Sequence, residues 1–181
     1  MAKNAYALAL RHGQAVFEIA VEQQNFNTWL ANLGTLVDMV NDKDVLYFLE
    51  NPRVSIAKKR DIIDIKLKGV NPMAVNLLYL LVERGGLAMM PDIAADFGRR
   101  LDDLKGIAHA EVLAAVPLSD AETAEIRQQL AKVFDKEIEI TSRVEPSLLG
   151  GIIARVGDKV IDGSLSRRLQ DLKREINQAR L

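Results

Sequence analysis

The stretch from Gly150 to Ile176, GGIIARVGDKVIDGSLSRRLQDLKREI, holds the residue types most able to do chemistry. Glycines near a basic residue suit a phosphate-cradling loop, and a charged helix suits a nucleic-acid contact. A Walker loop needs G-x-x-x-x-G-K followed by Ser or Thr, so that successive N–H groups and a lysine surround the anion. Here five residues separate Gly151 from Gly157, and Asp158 stands where the lysine is required. Its carboxylate would repel phosphate, and Ile152, Ile153 and Val156 favour a strand over a loop curled on an anion. No nucleotide site is expected.

The other chemical candidates are sparse. His12 and His109 lie far apart, without Asp or Glu partners at metal-ligand spacing, so each is expected to be solvated or packed. No order of residues suggests a histidine oriented by a carboxylate toward a nucleophile. The chain has no cysteine, which removes disulfides, zinc–thiolate sites, iron–sulfur clusters and thiol nucleophiles. Lys58-Lys59-Arg60 is the densest basic run, but Asp61 and Asp64 follow at once, which predicts a solvated, salt-bridged helical surface. A formal net charge of −1 lacks the basic excess that displaces counterions from phosphate, and 5% aromatic residues leave little for base stacking. A helical nucleic-acid-binding protein using the basic run and the last helix is thus the weaker alternative. No catalytic residue, cofactor or metal is expected.

The last helix carries Leu165, Leu169, Leu172, Ile176 and Ala179 at heptad spacing, which predicts packing on its own small sheet. Arg167, Arg168, Lys173, Arg174 and Arg180 stand against Asp171 and Glu175. Cations late in a helix meet its dipole favourably. The same face suits an acidic partner helix.

These residues must be held by elements that the periodicity outlines. Up to about residue 105 the chain reads as helix after helix. Tyr6, Leu10, Gly13, Phe17 and Ala20 share one face, and Phe26, Trp29, Leu30, Leu33, Leu36, Val37 and Val40 follow in a second helix. Asn41-Asp42, Ser55 and Asn71-Pro72 offer helix starts, Gly69 and Gly85-Gly86 offer stops, and Pro91 opens a sixth helix. After Gly106 the period becomes two. Ala108, Ala110, Val112, Ala114 and Val116 form one inner face, and Ile138, Ile140 and Val144 another. Between them Ser119 and Glu122 form a capping box for a helix with an Ile126, Leu130, Val133 stripe. Gly157-Asp158 signals a hairpin into a strand around Val160-Ile161, and Ser164 caps the last helix. The fold expected is mainly α with a small α/β part: a six-helix bundle over 1–105, then a small α/β domain over 106–181.

No run approaches the roughly 20 apolar residues that span a bilayer. The charged start, with Lys3, Arg11 and Glu18, lacks the apolar centre of a signal peptide.

Gly150-Gly151, Arg155-Val156-Gly157-Asp158, Ile161-Asp162-Gly163-Ser164-Leu165, Arg168-Leu169 and Leu172 together resemble the C-terminal signature of the F-type ATP synthase delta subunit family, which includes the mitochondrial oligomycin-sensitivity-conferring protein. Tyr6 to Leu10 with Phe17 to Ala20 resembles the family's opening helix, and Asn76 to Gly85 its fifth. Ala5 departs from the arginine or proline often found before the first tyrosine.

The resemblance implies a stator subunit without catalytic activity. It implies that the first domain grips the alpha subunit's N-terminal helix in a groove between helices one and five, here Tyr6, Ala9, Leu10, Asn76, Leu77 and Leu80. Tyr6 and Leu10 would supply area, Leu77 and Leu80 the opposite wall, Ala9 a close approach and Asn76 the register. Trp29 is expected to pack inside the domain. The second domain would hold the b subunits of the peripheral stalk through the region of Gly151, Arg155, Asp158, Leu165, Arg168, Leu169 and Leu172. The implied location is a peripheral membrane complex at the cytoplasmic face of a bacterial plasma membrane, with no direct membrane insertion and no nucleic acid.

Overall fold

A computed structural model describes residues 2–178, with the side chains of 5–171, 173 and 174. Ala179 and Arg180 fall outside the described residues, and Leu172, Glu175 and Ile176 are placed by backbone alone. The helices are α1 (Ala2–Gln23), α2 (Phe26–Asn41), α3 (Lys43–Glu50), α4 (Ile56–Lys66), α5 (Pro72–Glu83), α6 (Met90–Lys105), α7 (Asp120–Phe134) and α8 (Leu165–Gln178). A 3-10 turn, Leu87–Met89, joins α5 to α6, and the strands are β1 (Ile107–Ala114), β2 (Glu137–Val144), β3 (Ile152–Val156) and β4 (Lys159–Asp162). The chain divides into two compact units, Met1–Leu101 and Asp102–Leu181, so the break falls in the last turns of α6.

In the first unit, Trp29, Leu33 and Leu36 of α2 are fully buried and pack with Leu78 and Leu81 of α5 and Ile93 and Phe97 of α6. Trp29 is therefore a core residue. Ala9, Val16 and Ala20 present the inner face of α1. Between them Gly13 meets Asp96 of α6. A Cβ on Gly13 would lie 2.8 Å from the Asp96 Cβ and 2.5 Å from its Oδ2. Asp96 is itself buried and bonded to Arg99 at 3.0 Å and Arg100 at 2.7 Å, so it cannot swing aside without losing both partners. Gly13→Val is expected to lower stability by about 1–3 kcal/mol, the usual cost of overpacking. Chemical denaturation would show no change if α1 simply shifted.

The helix starts behave largely as read. The Asn71 side chain accepts from the Met73 N–H at 2.9 Å with Pro72 at the first helical position, and Ser119 and Glu122 close the capping box. Asp42 caps α3, whereas Ser55 makes no side-chain cap bond.

The basic run is not one solvated face. Lys59 is buried, and Arg60 bonds Glu83 of α5 at 2.7 Å and lies over the Tyr79 ring. The Tyr79 hydroxyl donates to Asp64. These contacts link α4 to α5, and they leave less exposed cation for phosphate than the sequence suggested.

In the second unit the sheet order is β2-β1-β3-β4. β1 and β2 are parallel, joined through α7, while β1–β3 and β3–β4 are antiparallel. Ala110, Val112, Ile138, Ala154 and Val156 form the buried face, and Ile126, Leu130, Ala131 and Phe134 pack with them. Val133 is 67% exposed, contrary to the expected stripe. The buried set recurs at steps of four, which puts Phe134 on the sheet and Val133 at the margin. Val116 is exposed because β1 ends at Ala114, and Val144 is half-exposed at the end of β2.

Candidate docking surfaces

In the first unit α1 and α5 each pack on α2. The Gln23 Nε2 lies 3.3 Å from the Met73 Sδ, which sets the end of α1 beside the start of α5. The 3-10 turn that follows α5 lies against α1, so α5 runs back along it. Both helices carry apolar residues left partly open to solvent. On α1, Tyr6 is 47% exposed, and Leu10 and Phe17 are half-buried on the same flank, with Val21 beyond them. On α5, Met73 is exposed and Leu80 half-buried, whereas Leu77, expected on the groove wall, is buried in the core. Ala9 is fully buried and Asn76 is exposed. Phe17 is fixed by Phe97 at 5.7 Å and Phe26 at 5.9 Å between ring centroids.

Sequence reading missed Val21 and Met73, although their apolar types at helical spacing from Phe17 and Leu77 were a usable signal.

In the second unit the site is built on glycines. Gly151 has φ +79, in the left-handed region that glycine adopts without strain. A Cβ there would stand 2.4 Å from the Gly163 carbonyl oxygen and 3.0 Å from the Ser164 Cα. The gap is this small because two chain segments are stitched together. The Leu165 N–H donates to the Gly150 carbonyl at 3.0 Å, and the Gly163 N–H donates to the Ile152 carbonyl at 2.9 Å. Gly157, at φ +57, turns β3 into β4. The glycines near a basic residue thus serve a close chain crossing and a hairpin, not an anion.

The crossing delivers the start of α8. Ser164 is buried, and its Oγ accepts from the Arg167 N–H at 3.2 Å. Its own N–H donates to Asp162 at 3.0 Å, and hydrogen bonding from Ser164 holds the Asp162 carboxyl below its ordinary range. The Glu122 carboxyl is lowered by its bonds from Ser119, and Asp42 by the Val45 N–H first. Each folded pKa is depressed. The stability these groups contribute is present above the unfolded carboxylate pKa and lost as pH falls through the folded one. We expect circular dichroism to show helix loss below about pH 4. Glu122→Gln should remove part of that acid dependence, and an identical acid profile in the variant would contradict the capping role.

Two residues of the α8 stripe are described, and both are exposed where packing on the sheet was expected: Leu165 at 46% and Leu169 at 62%. Arg168 is exposed on the same helix. Arg155 projects from the opposite sheet face to Ala154 and Val156, across from Glu111, and Asp158 sits at the hairpin tip. The residues assigned to one region therefore fall into a close chain crossing (Gly151), a sheet face and tip (Arg155, Asp158) and a helix whose described residues Leu165, Arg168 and Leu169 are exposed.

His109 does have carboxylate partners. Its Nε2 lies 2.9 Å from Asp102 and its Nδ1 3.3 Å from Glu139. Parallel pairing sets His109 directly beside Glu139, a neighbour 30 positions away that no local spacing shows. Among the described residues no group of three or more His, Cys, Asp or Glu could hold a metal ion.

A family model described as ATP synthase delta (OSCP) subunit matches residues 8–176. A protein named ATP synthase subunit delta from a strain of Dehalococcoides mccartyi is 39% identical over 181 residues, covering all of both chains. A protein of the same name from Desulfitobacterium hafniense is 33% identical over 175 residues, covering 96% of this chain and 98% of that one. The fold is similar to a chain in a structure of the Toxoplasma gondii mitochondrial ATP synthase hexamer, with a TM-score of 0.64, 20% identity, and 93% of this chain and 97% of that one covered.

Proposed function

The chain belongs to the ATP synthase delta (OSCP) family, and on that premise we propose that it ties the catalytic alpha–beta head of an F-type, proton-translocating ATP synthase to the b subunits of the peripheral stalk. It is a peripheral-stalk subunit and not a catalyst. The first unit, a helical bundle in this reading, takes the alpha subunit's N-terminal helix along the apolar flanks of α1 and α5. The second unit holds the b subunits. The work would be done at the cytoplasmic face of a bacterial plasma membrane. No helix among the described residues is long and apolar enough to cross a membrane, so attachment runs through partners.

The observation that carries the reading is that each compact unit leaves its own apolar helix surface open: Tyr6, Met73 and Leu80 in one, Leu165 and Leu169 in the other. A helix lying in a groove is read through anchors at i, i+3, i+4 and i+7. Two ligands held by one chain gain from effective concentration, and a stator benefits from slow release more than from fast capture.

The test uses the full chain with the alpha N-terminal peptide and the soluble part of b. Both should bind at once, and a substitution in either unit should remove only its own ligand. Competition between the two ligands, or binding of neither, would defeat the proposal.

A further inference from the structure

We infer that α8 is a charge-edged seat for an amphipathic helix whose apolar stripe is bordered by acidic residues. The inference rests on the reading that the second unit holds the stalk, and adds the chemistry of its partner.

The stripe Leu165, Leu169, Leu172 and Ile176 recurs at steps of four, three and four along α8. Its two described side chains, Leu165 and Leu169, stand open to solvent. The helix carries four cations, Arg167, Arg168, Lys173 and Arg174, against Asp171 and Glu175. They are not equivalent. Asp171 lies 3.2 Å from Arg167 and 3.8 Å from Arg174, so both cations on the back of the helix already have a carboxylate beside them. At 100° per residue Arg168 borders the stripe on one edge and Lys173 on the other. Glu175 falls on the Arg168 edge two turns later. Each edge of the apolar strip thus has a cation beside Leu165, Leu169 or Leu172.

Such a strip favours a helix with carboxylates at its own edges, as the flanking positions of a coiled coil do. The apolar contact is short, because α8 has 14 residues, about two heptads. Charge pairing along both edges supplements it and sets register and partner choice. A lipid surface fits less well. The polar faces of interfacial helices are rich in Lys and Arg, whereas α8 sets Asp171 and Glu175 among its cations.

The experiment compares the full chain with an Arg168→Glu, Lys173→Glu double variant, both titrated with the soluble part of b at about 50 mM and about 500 mM NaCl. Both positions are exposed, so circular dichroism should match. The variant is expected to bind about tenfold more weakly at low salt, the sum of two exposed ion pairs, with the gap closing at high salt. Exchanging acidic edge residues of b for lysine should restore binding to the variant and weaken it to the parent. Equal binding by parent and variant at low salt, or no restoration by the exchanged partner, overturns the inference while leaving the stalk reading intact. A parent chain that does not bind b at all removes the stalk reading itself. Binding of the parent to phosphatidylglycerol vesicles that the double substitution abolishes, with b binding unchanged, would assign α8 to a membrane and also overturn it.

Discussion

Gly151→Val is expected to unseat α8 and abolish stalk binding while the first unit stays folded. The new Cβ would meet the Gly163 carbonyl oxygen at 2.4 Å, a backbone atom that no rotamer change can move. Valine would also have to adopt φ +79, which costs a β-branched residue about 1–2 kcal/mol before any clash. Relief requires parting Gly150–Ile152 from Gly163–Leu165, which breaks the bonds that start α8. The combined cost should exceed about 3 kcal/mol, among the larger effects of a single change. Hydrogen exchange should report lost protection from Leu165 onward, with binding of b lost in parallel. Gly157→Asn is the control. It also has positive φ, but no neighbour lies within 4 Å of its Cβ, and Asn tolerates that region. If Gly151→Val kept α8 protected, the crossing would not be what holds the helix.

Leu80→Asp should weaken binding of an alpha N-terminal peptide by at least about 2 kcal/mol, roughly thirtyfold in Kd, while helicity is kept. Leu80 lies at the half-buried margin of α5, so a carboxylate there can stay hydrated in the free protein. It would lose that hydration under an apolar ligand helix. Leu77→Asp offers the contrast. Leu77 belongs to the core, and a charge there should unfold the unit rather than merely weaken binding. Calorimetry that found unchanged affinity for a folded Leu80→Asp protein would remove α5 from the alpha contact.

The same distinction between margin and core separates what the residue order tells from what it hides. The Asn71-Pro72 start, the Ser119–Glu122 capping box, the Gly157-Asp158 hairpin and the change from helical to strand period after Gly106 are all legible. Each is made by residues within about four positions of one another, so its signal is local. The exclusion of a Walker loop follows from spacing in the same way. Family membership was legible too, from motifs spread along the chain.

Other readings needed distant partners. Lys59 looked solvated beside Lys58 and Arg60, but α4 turns it inward while Arg60 reaches Glu83. His109 looked isolated until strand pairing and the last turns of α6 brought Glu139 and Asp102 to its ring. Gly13 read as one more residue of an apolar face, though its role is to admit Asp96. Leu165 and Leu169 of α8, expected to pack on the sheet, are exposed.

The order of residues alone determined where this chain is helical, where it turns, where it changes to a sheet, and which family it resembles. Those properties follow from hydrogen bonds and periodicities that close within a turn or two. Tertiary structure alone decided which apolar stripes are covered, which charges are paired, and why Gly151 must be glycine. Those outcomes depend on atoms brought together from distant positions, and periodicity marks an apolar face without showing whether that face is covered by the same chain.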